Sequence, residues 1–130
     1  MGEQKERILI IGRSVPLMEG VADLLQVVGY PVDVSSSWAE TEYAIYDAPP
    51  NLVIIDLSIA ASDVYDLTGQ IRSAPRWSDV PILFISFSGD DRIRELERRN
   101  RRNGGKRVYF YAHTLLSMDE LLEKVRACLA

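Results

Sequence analysis

Polar and charged residues stand directly after short apolar runs at four places in this sequence. These places are Gly12–Ser14, Asp56, Ser86 and the segment Tyr111–His113. A turn that leads into a helix, such as Gly12–Ser14, can hold an anion, and the guanidinium of Arg13 can pair with a carboxylate. The stretch from Gly12 to Gly20 matches neither of the usual glycine-rich nucleotide loops, so a nucleotide site is the weaker interpretation.

The apolar runs before these residues alternate with segments of helical periodicity. Continuous runs rich in β-branched residues are typical of strands that are buried on both faces. They predict five strands: Ile8–Ile11, Pro31–Ser35, Leu52–Ile55, Ile82–Ile85 and Val108–Tyr111. The predicted helices are one that carries Leu17, Val21, Leu24, Leu25 and Val28 and ends at Gly29, one opened by Ser37 and Glu40, and three near Val64–Arg72, Asp90–Arg102 and Ser117–Leu129.

Strands that alternate with helices in this way favour an α/β fold, a three-layer doubly wound (βα)5 parallel sheet with helices on both faces. In such sheets, ligands bind at the carboxyl ends of the strands, where the winding direction reverses. The polar residues named above stand at these predicted ends, so we expect any chemistry at that edge of the sheet.

Length and composition limit the class of protein. With 130 residues, 47 % hydrophobic and 26 % charged, the chain is expected to be a single soluble domain over 1–130 with a core over about 7–129. The single Cys128 allows no internal disulfide and no cysteine-based zinc site. No apolar stretch is long enough for a membrane span, and we expect a cytoplasmic protein. No residue set for catalytic turnover is present, which predicts a non-enzyme.

Charge is distributed unevenly along the chain. Residues 92–107 contain eight Lys or Arg and two Asp or Glu, although the net charge of the whole chain is −4. This basic segment either attracts an acidic partner or is the solvated face of a helix. It lacks interleaved aromatic residues, and the rest of the chain would repel phosphates, which disfavours nucleic acid as a partner.

Two segments, Pro50–Leu57 and Ile71–Ile82, resemble parts of the receiver domain of two-component response regulators. The first is similar to the strand that ends in the phospho-accepting aspartate, and the second to the linker into strand four. The resemblance extends over nearly the whole chain. It implies the strand order 2-1-3-4-5 of a flavodoxin-like sheet, the phospho-acceptor position at Asp56 and the switch hydroxyl at Ser86.

The chain departs from this family at the positions that handle metal and phosphate. Gly12 and Arg13 stand where the family has the acidic pair that holds magnesium, and Tyr111 or Ala112 stands where it has a lysine. Magnesium prefers carboxylate oxygens, and two unit charges about 4 Å apart interact by roughly 4 kcal/mol at an effective dielectric of about 20. The exchange of a carboxylate for Arg13 therefore works against magnesium binding, and no cofactor is expected.

Three functions are consistent with these residues. The first is a degenerate pseudo-receiver in phosphorelay signal transduction that acts by protein–protein interaction. Arg13 then either pairs with Asp56 in place of the metal or points to solvent. The alternative is an atypical receiver still phosphorylated on Asp56 by a histidine kinase, and the third is an anion- or nucleotide-binding module between strands one and three. The expected partner is a protein, either a histidine kinase or an output domain, and a homodimer is left open. The candidate partner face consists of Arg98, Arg99, Arg101, Arg102 and Tyr109.

Overall fold

A computed structural model describes residues 6–12, 15–36, 40, 48–57, 61–85, 94–96, 98–99, 109–112 and 118–130. The strands in these ranges are β1 (Ile8–Ile11), β2 (Val32–Ser35), β3 (Leu52–Asp56), β4 (Ile82–Ile85) and β5 (Tyr109–Ala112). The longer helices are α1 (Val15–Val28), α2 (Ala61–Ser73) and α3 (Met118–Leu129). Residues 40, 94–96 and 98–99 are also helical.

The strands form one sheet in the order β2-β1-β3-β4-β5, and every neighbouring pair is parallel. Every residue of β1, β3 and β4 is buried. This burial explains the continuous apolar runs, because a parallel sheet that is covered on both faces has no solvent side for polar residues. The predicted α/β fold and strand order are confirmed.

Alternate residues of the strands pack into two separate clusters, one on each face of the sheet. One cluster joins strand residues such as Ile55 and Phe84 to α2 through Val64, Leu67 and Ile71. The other joins strand residues such as Ile54 and Leu83 to α1 and α3; its helix residues are Met18, Val21, Ala22, Leu25, Leu121, Val125 and Cys128. Helices therefore cover both faces, as the three-layer prediction requires.

Two connections hold the strands in place. Gly29 ends α1 with φ 111°, a left-handed conformation that suits glycine, and the Tyr30 N–H donates to the Leu25 carbonyl at 3.0 Å. The guanidinium of Arg72 donates to three carbonyls before β4, those of Trp77, Ser78 and Val80, at 2.9–3.1 Å. Among the described residues, no helix is both long and apolar enough to cross a membrane.

Element boundaries differ from the sequence prediction in four elements: β2 begins at Val32 and β3 ends at Asp56, each one residue later than predicted, and β5 and α2 differ as well. Strand β5 occupies Tyr109–Ala112, one residue later than predicted, in register with the four residues of β4. Helix α2 begins at Ala61, before its first predicted apolar residue. The Glu40 carboxylate accepts from the Ser36 N–H at 3.1 Å and from the Ser36 hydroxyl at 2.9 Å, while Ser37, the predicted capping partner, lies outside the described residues. Most of the predicted helices after Ser37 and over 90–102 also lies outside them.

Candidate functional site

The carboxyl ends of neighbouring strands meet at one edge of the sheet. The register pairs Asp56 with Ile85, and Ile85 with Ala112, so one row of residues runs from β3 across β4 to β5. Gly12 directly follows β1, and its N–H donates to the Ser35 carbonyl of β2 at 3.1 Å. The parallel topology thus brings Gly12, Asp56 and Ala112 to the same edge, as the sequence predicts. Of the two candidates for the lysine position, Ala112 shares the row of Asp56, and Tyr111 lies one residue before it.

Asp56 is fully buried, with 0 % of its surface exposed. A buried carboxylate is stable only when its oxygens are hydrogen-bonded or paired. Within the described part of the chain, every buried side-chain nitrogen and oxygen has a hydrogen-bond partner. The next residue, Leu57, donates its N–H to the Ile85 carbonyl at 2.9 Å, which continues the β3–β4 ladder past Asp56. The backbone of β3 is therefore paired with β4 both before and after Asp56.

Gly12 lies directly against the side chain of Asp56. A Cβ atom added to Gly12 would lie 2.6 Å from Asp56 Cβ, 3.1 Å from Oδ2 and 3.3 Å from Cγ. Carbon atoms in contact are normally about 3.5–4.0 Å apart, so no side chain fits at this position in the present geometry. Nothing in the sequence spacing indicates this close approach, because a glycine after a strand is equally compatible with an ordinary turn.

Potential metal ligands do not cluster in the described ranges. No three side chains of the types His, Cys, Asp and Glu come together there as a metal-binding group. Gly12 contributes no ligand atom from a side chain, and the Asp56 carboxylate is closed off from solvent.

Several predicted site residues lie outside the described residues, namely Arg13, Ser86, Arg101 and Arg102. The proposed pairing of Arg13 with Asp56 and the switch role of Ser86 therefore stay predictions. Tyr109 begins β5, which is the last strand of the described sheet on that side. The position of Tyr109 at a sheet edge is compatible with the predicted partner face.

Arg98 and Arg99 are exposed on the helical segment 94–99. Arg98 forms a salt bridge with Glu95 one helical turn before it, at 3.3 Å, and both side chains are at least half exposed. The guanidinium carbon of Arg99 lies 3.8 Å from the centre of the Tyr65 ring of α2, a cation–π contact. Leu96 is buried against the core that contains α2. The segment is thus anchored to α2 and presents its basic residues to solvent.

Cys128 is not a nucleophile in this fold. Its side chain is buried in the cluster of α1 and α3, and this desolvation raises the pKa of the thiol to about 12. A thiol with such a pKa is protonated at neutral pH and unreactive. Cys128 is a core residue.

Several transcriptional regulators are similar to this chain in sequence. The probable transcriptional regulator ycf27 of Porphyridium aerugineum is 34 % identical over 97 residues, which cover 72 % of this chain and 39 % of that protein. The transcriptional regulatory protein KdpE of Mycobacterium tuberculosis is 26 % identical over 122 residues, 92 % of this chain and 49 % of that protein. The chain therefore spans less than half the length of these relatives. No protein-family model matches it.

Solved receiver and response-regulator structures share the fold of this chain. A putative response regulator from Chloroflexus aurantiacus has a TM-score of 0.76 at 24 % identity, covering 95 % of this chain and 97 % of that one. The chemotaxis protein CheY4 of Vibrio cholerae has a TM-score of 0.78 at 17 % identity, covering 95 % and 98 %. The receiver domain of the sensor histidine kinase PA1611 of Pseudomonas aeruginosa, which has a magnesium ion in its active-site cleft, has a TM-score of 0.73 at 17 % identity, covering 95 % and 97 %. At these identities the likeness establishes the fold.

Proposed function

We propose that this chain, which is a receiver-type domain similar to those of two-component response regulators, is a degenerate pseudo-receiver. It takes part in signal transduction by binding a protein partner, and phosphorylation of Asp56 is not required. Asp56, to which the family resemblance assigns the phospho-acceptor position, ends β3, but the groups that would make phosphate transfer to it fast are missing from the sequence.

The observation that carries this proposal is the contact between Gly12 and the buried Asp56. Phosphoryl transfer depends on positive charge that is positioned around the transferring group, and on access of the donor to the nucleophile. Asp56 is 0 % exposed. Gly12 stands where the family has an acidic ligand, and its backbone lies against the side chain of Asp56. Neither β5 candidate, Tyr111 or Ala112, can supply the charge of the lysine that the family resemblance implies.

The residues at this edge do not fit a bound magnesium ion. Magnesium requires near-octahedral oxygen coordination and is usually held by one or two carboxylates together with phosphate oxygens. Among the described residues, this edge offers the buried carboxylate of Asp56, while Gly12 and Arg13 have no side-chain oxygen. The guanidinium of Arg13 adds a repulsive charge to any cation near it. We therefore derive no step through a metal ion.

The partner surface in this proposal is the exposed side of the basic segment around Arg98 and Arg99. A segment with this charge attracts an acidic protein surface and speeds association with it. The relatives that match are named transcriptional regulators, and the chain covers less than half of each. An output domain or protein with an acidic face is therefore the proposed partner class.

A complementation experiment tests this proposal. Cells that depend on the protein are supplied with wild type, Asp56→Asn, Arg98→Glu/Arg99→Glu or the matched control Arg126→Glu, which is exposed on α3. We expect Asp56→Asn and Arg126→Glu to keep the function and Arg98→Glu/Arg99→Glu to lose it, with cooperative melting in all variants. Loss of function in a folded Asp56→Asn variant would contradict the proposal, because it would make the acceptor carboxylate essential.

A further inference from the structure

The approach of Gly12 to Asp56 is closer than neighbouring strands normally allow. Ile11 pairs with Ile55, so the next row of the β1–β3 register contains Gly12 and Asp56, on the same face of the sheet. Neighbouring strands lie about 4.7–4.9 Å apart. The distance of 2.6 Å between a Cβ on Gly12 and the Cβ of Asp56 is about half of that spacing. The end of β1 is therefore turned toward β3.

Space, not backbone conformation, is what requires glycine at this position. Gly29 has a positive φ of 111°, which disfavours other residues there, whereas Gly12 has no such φ. Two helical glycines, Gly20 and Gly69, have nothing within 4 Å of an added Cβ. Among the glycines compared in this way, Gly12 alone meets the side chain of a functional position.

The atom that Gly12 meets cannot move out of the way easily. The Cβ of Asp56 is fixed to the β3 backbone, and the ladder hydrogen bond of Leu57 to Ile85 holds that backbone at 2.9 Å. A side chain on residue 12 would have to separate the ends of β1 and β3 or displace Asp56 from its buried position. Close-packed interiors resist such changes.

We infer that Gly12 is a positioning residue that closes the site, so that a cation is excluded by the shape of the strand ends as well as by charge. This inference rests on the proposed function and deepens it. In a domain closed in this way, restoring acidic residues at positions 12 and 13 does not restore a metal site, because the new carboxylate and Asp56 compete for the same space.

A double-mutant cycle on melting temperature tests the contact. Gly12→Ala is expected to lower the melting temperature by roughly 5–10 °C, and the matched control Gly69→Ala is expected not to lower it. Asp56→Gly removes the Cβ that Gly12→Ala would meet, so in that background Gly12→Ala should cost roughly 2 °C or less. Asp56→Ala keeps that Cβ, the nearest of the three contacts, but removes Oδ2 and Cγ, so in its background most of the loss should persist.

The same cycle tests the contact between Gly12 and Asp56 even if a variant folds poorly. If Gly12→Ala alone does not melt cooperatively, recovery of a cooperative transition in Gly12→Ala/Asp56→Gly supports the inference. An unchanged melting temperature of Gly12→Ala, an equal loss in all three backgrounds, or relief by Asp56→Ala as complete as by Asp56→Gly would overturn it.

Magnesium titration separates this inference from the proposed function. Wild type and Gly12→Asp/Arg13→Asp are titrated while the amide NMR signals of Leu57 and Ala112 are followed, with an ordinary receiver as positive control. We expect no saturable shift in either. A shift in the double variant at an unchanged melting temperature would overturn the inference about Gly12. A shift in wild type would overturn the exclusion of a cation and with it the proposed function, whereas the melting cycle tests the Gly12–Asp56 contact on its own.

Discussion

At the scale of single residues, Arg72 shows how one side chain can fix the path into a central strand. Its two terminal nitrogens donate to the carbonyls of Trp77, Ser78 and Val80. These carbonyls belong to the loop between α2 and β4, where no strand partner can satisfy them. The planar fork of a guanidinium suits this task, because it presents several donors in a fixed geometry.

Replacement of Arg72 tests this role. We expect Arg72→Ala to lower the free energy of unfolding by about 1–3 kcal/mol, since hydrogen bonds from a charged donor are lost. Arg72→Lys should recover only part of the loss, because an ammonium group cannot reproduce the fork. Urea denaturation measures both values.

The control for Arg72 is Arg126→Ala, which removes an exposed guanidinium from α3. Its expected change is within about 0.5 kcal/mol. If Arg72→Ala changed the free energy of unfolding no more than Arg126→Ala does, the role of Arg72 in holding the loop before β4 would be refuted.

At the scale of elements, the helices contain glycines that serve no packing purpose. Gly20 of α1 and Gly69 of α2 are exposed, and an added Cβ would meet nothing within 4 Å. Glycine inside a helix is less favourable than alanine by about 0.5–1 kcal/mol, because glycine loses more backbone freedom on folding.

Gly20→Ala and Gly69→Ala should each raise the free energy of unfolding by about 0.5–1 kcal/mol. Their effects should add, because α1 and α2 pack in different core clusters and the two sites share no contacts. Chemical denaturation of both single variants and the double variant is the measurement. A loss of stability in either single variant would show that the position is more constrained than its open surroundings indicate.

The elements were predictable from the sequence to the extent that burial sets the pattern. The runs Ile8–Ile11 and Ile82–Ile85 are buried on both faces, so their unbroken apolar character marked their ends correctly. The sequence predicts β5 one residue too early, because Val108 extends the apolar run on the N-terminal side of the residues that pair with β4. Helix α2 was predicted to start near Val64, since the first turn carries polar residues such as Asp63.

The sequence predicts which residues lie at the site but not how closely they approach one another. The topology places Gly12 and Asp56 at one edge of the sheet, as the strand pattern indicates. The distance between them depends on how far the end of β1 turns toward β3, and residue spacing contains no information about that rotation. The glycine was therefore interpreted from sequence only as a missing ligand, whereas the structure adds its contact with Asp56.

At the scale of the whole molecule, the chain combines a complete receiver sheet with an altered site at its edge. The five strands lie in the order β2-β1-β3-β4-β5, and an apolar cluster packs on each face of the sheet. The net charge of −4 is the balance between an acidic body and the basic segment over residues 92–107. This separation of charge along the sequence is the basis of the proposed attraction to an acidic protein surface.

The most direct test of the account is the intact mass of the protein after incubation with acetyl phosphate and magnesium, beside an ordinary receiver and Asp56→Ala. A degenerate pseudo-receiver is expected to gain no phosphate under conditions that label the ordinary receiver. A gain of one phosphate by wild type, absent in Asp56→Ala, would contradict the account and make the chain an atypical but active receiver.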